Sequence, residues 1–157
     1  MNAPIAHPQR LADFLPYQLS LASNAVSARI AEQYRRRFGL RITDWRVMAV
    51  LGDGGPLTQR DLCRLTLMDK VPVNRACKAL EDRGLVHRQP NERDGRSHLL
   101  ELTAEGRAIH ARIMPLAQQI EAELFASLTA DERKVLRGLL ARLRAAAGEF
   151  DPESLAE

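Results

Sequence analysis

Residues 58–84, TQRDLCRLTLMDKVPVNRACKALEDRG, leave this chain few ways to fold. Thr58 followed three residues later by Asp61 marks a helix start, because a hydroxyl and a carboxylate at that spacing satisfy the first free amides. Leu62 and Leu65 give the short helix one apolar face. A turn is expected over Thr66–Asp69. Beyond it, Val73, Ala76, Cys77 and Leu80 recur at the spacing of one buried helical face. Pro72 fits only that helix's first turn, where its missing N–H costs nothing. Gly84 supplies the left-handed residue that ends it. On the outer face Asn74, Arg75 and Lys78 lie together. That face is basic, carries one amide and holds no catalytic grouping.

The next segment narrows the class. Leu85–Gln89 and Ser97–Leu102 suit two short strands, and Pro90-Asn91-Glu92-Arg93-Asp94-Gly95-Arg96 between them is dense in turn formers. Two helices and an arginine-tipped hairpin describe a winged helix. Its second helix is sized for a major groove, with Arg93 or Arg96 reaching a phosphate or the minor groove. Asn74 can pair bidentately with adenine, and Arg75 and Lys78 suit base or phosphate. Thr58 and Gln59, at a helix start, suit phosphate through backbone N–H groups.

In four places the sequence resembles the MarR family of bacterial regulators. They are LTQRDLCRL (57–65), MDKVPVNRACKALEDRGLV (68–86), the wing tip DGR (94–96) and LELTAEGR (100–107), in the family's order. The resemblance implies a mostly α protein: a winged helix-turn-helix with a small β-hairpin wing, and long N- and C-terminal helices forming a dimerisation region. It implies a homodimeric transcriptional repressor on a pseudo-palindromic operator in double-stranded DNA. A small ligand, often phenolic or aromatic-carboxylate, would release the DNA from a site between the winged lobe and the dimerising helices. By the same likeness Arg96 enters the minor groove and Asp94 orients an arginine, while Lys70 and Pro72 complete the DNA-facing set at the start of the recognition helix. One departure is chemical. Val71 and Pro72 stand where family members commonly carry small hydroxyl residues, so apolar contact with a thymine methyl replaces capping or hydrogen bonding, and the operator sequence does not carry over.

Composition agrees with a helical, polyanion-binding chain. Hydrophobic residues make up 45% of the 157 and aromatics 4%, which favours helices packed with Leu, Ala and Val. The net charge of +3 is unevenly spread: residues 1–57 and 58–98 are each +3, residues 99–157 are −3. Positive charge thus falls on the presumed DNA side. No apolar run reaches membrane-spanning length and the N-terminus lacks a signal peptide's apolar core, so no membrane partner is expected. Two cysteines without close spacing build no disulfide framework, and the expected compartment is the cytoplasm.

In chain order, residues 1–10 read as an arm, 11–57 as N-terminal packing and dimerising helices, and 58–102 as the winged module. Residues 103–149 read as C-terminal dimerising helices and 150–157 as a frayed tail. Leu11–Phe38 reads as one long helix with Leu15, Leu19, Ala22, Val26 and Ile30 in an apolar stripe and Pro16 in its first turns. Ser20, Ser23, Asn24 and Ser27 form a second, polar stripe, either a solvated face or the lining of a wet cavity. In the second case Trp45 and Met48 of the next helix would be its apolar wall, and the set would hold a small-molecule effector. Trp45 suits core packing equally well.

Thr43 is expected to cap a helix over Asp44–Leu51, and Gly52-Asp53-Gly54-Gly55-Pro56 reads as the clearest loop in the chain. Thr103 caps a helix running to Ser127 that kinks at Pro115, and Thr129 with Glu132 opens another. Two leucine-rich helices beside a small module carry more apolar surface than one subunit covers, which points to dimerisation.

An enzyme is not expected. No phosphate-binding glycine loop follows a strand, and no Ser, Cys or His stands in a nucleophile motif. No cofactor is implied and no metal site is expected, although His87 and His98 could face each other across the hairpin. Cys63 and Cys77 read as packed. Thiol-based peroxide sensors of the family carry their reactive cysteine near the start of the first long helix, where this chain has none. A redox-responsive or ligand-blind regulator and a winged helix used only for protein contact remain the alternatives.

Overall fold

Each expected cap forms in the central module, and the rest of the fold is built around it. The computed structural model describes residues 10–148. After a 3-10 turn at Leu11–Asp13 come α1 (Leu15–Phe38), α2 (Ile42–Gly54), α3 (Gln59–Thr66), α4 (Lys70–Asp82), β1 (Val86–Pro90), β2 (His98–Leu102), α5 (Ala104–Leu124) and α6 (Ala130–Ala146). The arm and tail expected at the two ends lie outside the described residues, Arg10 apart.

At the start of α3 the Thr58 hydroxyl accepts the Asp61 amide at 3.1 Å, and the Asp61 carboxylate accepts the Thr58 amide at 3.2 Å. The turn into α4 passes through Leu67, which is left-handed at φ 54°. At the far end of α4 the Leu85 amide donates to the Leu80 carbonyl and the Gly84 amide to the Glu81 carbonyl, both at 2.9 Å. With Gly84 at φ 70° this is a Schellman closure, the geometry that makes glycine the fitting residue there. Val73, Ala76, Cys77 and Leu80 are buried as their spacing predicts, and they pack with Leu62, Val47, Met48, Leu51, Leu100 and Ile113 in one core. Burying side chains of this size stabilises the fold by roughly 1.5–3 kcal/mol each.

The hairpin pairs antiparallel with Val86 opposite Leu102 and Pro90 opposite His98. Leu57 adds a one-residue third strand, exchanging backbone hydrogen bonds with Leu100 at 2.7 and 3.0 Å. That bridge ties the start of α3 to the base of the wing. The register also decides a possibility left open by the sequence: His87 faces Glu101, its Nε2 3.6 Å from the carboxylate, and does not face His98.

Other boundaries moved for identifiable reasons. The first long helix begins at Leu15, because Phe14 is extended (ψ 111°) and Pro16 occupies the second helical position. A proline there needs no N–H, whereas a helix already running from Leu11 would lose a bond at Pro16. The cap of α2 is Arg41 and not Thr43. The buried Asp44 carboxylate accepts the Arg41 backbone amide at 3.1 Å and its guanidinium at 2.9 and 3.2 Å, a stronger set than one hydroxyl offers. α5 stops at Leu124, before Ser127, and runs unbroken through Pro115, which is exposed.

The largest change is at the expected loop, for α2 continues through Gly52, Asp53 and Gly54. A Cβ on Gly52 would stand 2.4 Å from the His110 imidazole, so this glycine lets α2 and α5 approach closely and does not make a turn. Gly52→Ala should cost about 1–3 kcal/mol, since the opposing group is a ring that can swing aside.

Candidate nucleic-acid interface

One side of the module gathers most of the residues expected at DNA. Asn74, Arg75 and Lys78 are exposed on the outer face of α4, opposite the buried Val73–Ala76–Cys77–Leu80 face. Gln59 Nε2 donates to Asn74 Oδ1 at 3.3 Å, so the start of α3 holds the amide that α4 presents. Lys78 lies 3.6 Å from Asp82 in an exposed pair that a phosphate can displace. Lys70 and Pro72 sit in the first turn of α4, Lys70 exposed and Pro72 half-buried.

The wing stands beside this face. Thr58, Gln59, Arg60, Asp61, Arg88, Asn91, Asp94, Arg96, Ser97 and His98 line a groove of about 480 Å³ between the start of α3 and the hairpin. Thr58, Gln59, Asp94 and Arg96 were expected at DNA from the sequence. Arg60, Arg88 and His98 were not. Arg60 follows Gln59 on the same helix start and was legible there, whereas Arg88 and His98 enter through strand pairing. Arg88 also pairs with Glu81 of α4 at 2.5 Å, bonding the wing to the recognition helix.

The wing tip is shaped by its own side chains. Asn91 Oδ1 accepts the Arg93 amide at 3.1 Å and Asp94 Oδ1 accepts the Arg96 amide at 3.0 Å. Asp94 therefore acts here on the backbone of Arg96. Both arginine side chains project outward and are exposed.

The residues expected around an effector are not brought together within one chain. Met48 is fully buried in the core. Trp45 packs edge-on to Tyr34 (ring centroids 5.3 Å) and tilted on His110 (5.5 Å), where α1, α2 and α5 meet. Ser20, Ser23 and Asn24 are exposed on the outer half of α1, and Ser27 is half-buried. Ser20 is roughly 21 Å along the helix from Tyr34. Measured along α1, the stripe thus lies from about 10 Å (Ser27) to about 21 Å (Ser20) away from the residue that meets Trp45. A different hollow of about 260 Å³ opens between α1 and α5, with Arg29, Arg37 and Glu123 over Leu116 and Ile120.

The thiols are placed for packing. Burial pushes Cys77 up to about 11 and, with the Asp69 charge, raises Cys63 as well. A raised thiol holds little of the thiolate that peroxide attacks.

Two capped helices in a tight turn, a wing pinned by a third strand and an exposed basic face define a winged helix-turn-helix protein. Residues 38–97 match the model of the MarR family. A probable transcriptional regulator from Pseudomonas aeruginosa is 35% identical, with 85% of this chain and 99% of that one covered and a TM-score of 0.74. The chain belongs to the MarR family of transcriptional regulators. The HTH-type transcriptional repressor NicR of Pseudomonas putida is 32% identical over 96 residues, so that 61% of each chain is spanned. BpsR of Bordetella bronchiseptica, whose structure bears on regulation of its DNA binding by 6-hydroxynicotinic acid, is 25% identical, with a TM-score of 0.78 over 88% of this chain and 99% of its own. No helix among the described residues is long and apolar enough to cross a membrane.

Proposed function

We propose that the protein is a homodimeric repressor that reads a pseudo-palindromic operator and releases it on binding a small organic acid. The observation that carries the DNA reading is the continuity of one basic surface, from Asn74, Arg75 and Lys78 on α4 to Arg96 on the wing across the α3 groove. Asn74 supplies base readout, Arg96 senses groove width and phosphate charge, and Thr58, Gln59, Lys70 and Arg93 hold the backbone. Dimerisation is supported by α6, which has no buried residue in the single chain although it carries Val135, Leu139, Leu140 and Leu143.

Binding isotherms at several salt concentrations test the groove roles. Asn74→Ala should lose affinity unevenly across operator variants, since a bidentate base contact gives about 1–3 kcal/mol of discrimination. Arg96→Ala should weaken most sequences alike and lower the salt slope by about one counterion. If instead Asn74→Ala acts uniformly and Arg96→Ala alters base preference in the half-site, the roles are reversed. A chain that shifts no DNA at all would favour the protein-contact reading.

The repressor and effector assignments draw on NicR's name and on what the BpsR structure concerns. Our reading puts the effector at the meeting of α1, α2 and α5, a choice supported by the aromatic Tyr34–Trp45–His110 stack found there. Trp45 is the single tryptophan, so its emission reports that place alone. Hydroxylated aromatic acids such as 6-hydroxynicotinate should change Trp45 emission over the concentration range in which they weaken operator binding. An acid that releases the operator while Trp45 emission stays constant puts the effector elsewhere.

A further inference from the structure

One side chain bonds the end of the recognition helix to the end of the long first helix. Arg83, the C-cap of α4, donates from Nη2 to the Phe38 carbonyl at 3.0 Å and from Nη1 to the Gly39 carbonyl at 3.2 Å. These carbonyls lie at the C-terminal end of α1, where a cation is favoured by the helix dipole and where backbone acceptors lack helical partners. Gly39, left-handed at φ 63°, closes the helix beside the fork. The Phe38 ring is held from the other side by Arg112 of α5, with the guanidinium 5.6 Å from its centroid. One residue of α1 is therefore gripped by the recognition helix through its backbone and by α5 through its ring.

The position matters because the rest of α4 is held mainly by burial. Val73, Ala76, Cys77 and Leu80 fix its depth, but apolar packing has little directional preference and tolerates a roll or a swing about the helix axis. Its N-cap, Asp69, makes no side-chain cap bond. Apart from the Gln59–Asn74 hydrogen bond near its start, its directional bonds gather at the other end, where Glu81 holds Arg88 of the wing and Arg83 holds α1. The opposite end of α1, about 36 Å away by helix length, carries the exposed Leu15, Leu19 and Leu21. A long lever thus runs from the apolar surface to the joint at Arg83.

We propose that Arg83 is a positioning residue that sets the angle of the recognition helix against α1 and thereby the half-site spacing the dimer accepts. This rests on the dimeric DNA-binding reading given above. Inserting one base pair moves a half-site about 3.4 Å along the duplex and roughly 35° around it, a displacement that a rigid joint resists and a loose joint accommodates. Arg83 is exposed, so its replacement leaves the core intact.

The test uses the full chain and a duplex that the parent selects from random-sequence DNA. Parent, Arg83→Gln and Arg83→Lys are compared on three sets of duplexes. These are the selected duplex, duplexes with one base pair added or removed between half-sites, and duplexes with one base changed inside a half-site. The parent should prefer its selected spacing about tenfold or more. Arg83→Gln should reduce that preference to about threefold or less, with base discrimination and salt slope unchanged. Arg83→Lys keeps the charge without the planar fork and should restore only part of the preference. Three results would overturn the inference: an unchanged spacing preference in Arg83→Gln, full recovery by Arg83→Lys, or an even loss on every duplex with the salt slope lower by about one, which marks a phosphate contact. A parent that selects no sequence defeats the DNA-binding reading and takes this inference with it, whereas a parent whose spacing preference Arg83→Gln shares defeats this inference alone.

Discussion

Gly106→Ala is expected to be the most damaging single methyl that can be added to this protein's described glycines. Gly106 is buried in the first turn of α5, and a Cβ there would stand 2.0 Å from the Leu85 carbonyl oxygen and 3.0 Å from its carbon. The obstacle is backbone, and it is locked from several directions. The Leu85 carbonyl accepts the Thr103 amide at 3.0 Å, and the Leu85 amide is held by Leu80 at 2.9 Å. The Thr103 hydroxyl bonds the Gly84 carbonyl at 2.7 Å and accepts the Gly106 amide at 3.0 Å. The end of the recognition helix, the start of the wing and the start of α5 are thus one knot. Making room for a methyl requires moving all three, at about 3 kcal/mol or more, the upper end of what overpacking costs. For a chain of this size that corresponds to a fall in Tm of roughly 6–12 °C, read at fixed protein concentration by circular dichroism. Stability within about 0.5 kcal/mol of the parent would show that the knot gives way easily. Gly52→Ala, which meets a movable ring, is the milder control.

Deleting the chain from Thr129 onward should have the largest effect on DNA binding. The deletion removes α6, whose exposed Val135, Leu139, Leu140 and Leu143 support the proposed dimer surface, while taking no buried residue among those described. Each monomer would keep α3, α4 and the wing, so contact with a single half-site would remain. The lost part is linkage. Two joined half-site binders gain about 10²–10⁴-fold over one, and the deletion should forfeit that gain. Sedimentation and operator isotherms measured together decide the matter. The expected outcome is a monomer, or insoluble protein, with weak operator binding. A soluble dimer that binds as tightly as the parent would move the assembly surface to α1 alone.

What the chain declares by itself is what depends on neighbours a few residues apart. Thr58 with Asp61, Thr129 with Glu132 and Gly84 after Leu80 act through bonds spanning three to five residues, so their pattern alone sets where α3, α4 and α6 begin or end. The buried face Val73–Ala76–Cys77–Leu80 also fixes, by elimination, that Asn74, Arg75 and Lys78 look outward. Tertiary structure decided everything that rests on distant partners. Gly52 and Gly54 carry the local signature of a loop, yet both are helical, and the His110 ring of α5 lies so close to Gly52 that only a glycine fits there without displacing it. The strand register, invisible in an alternating pattern alone, separates His87 from His98 and brings Arg88 and His98 into the α3 groove. The polar stripe of α1 and Trp45 share a plausible chemistry but not a place, since a helix carries its periodicity along an axis that pattern does not measure. Arg83 reads as one more surface cation at a helix end; only folding brings it to carbonyls 44 and 45 residues earlier in the chain. Local hydrogen bonding can be read along a sequence, whereas contacts closed by long loops depend on which surfaces the core brings face to face.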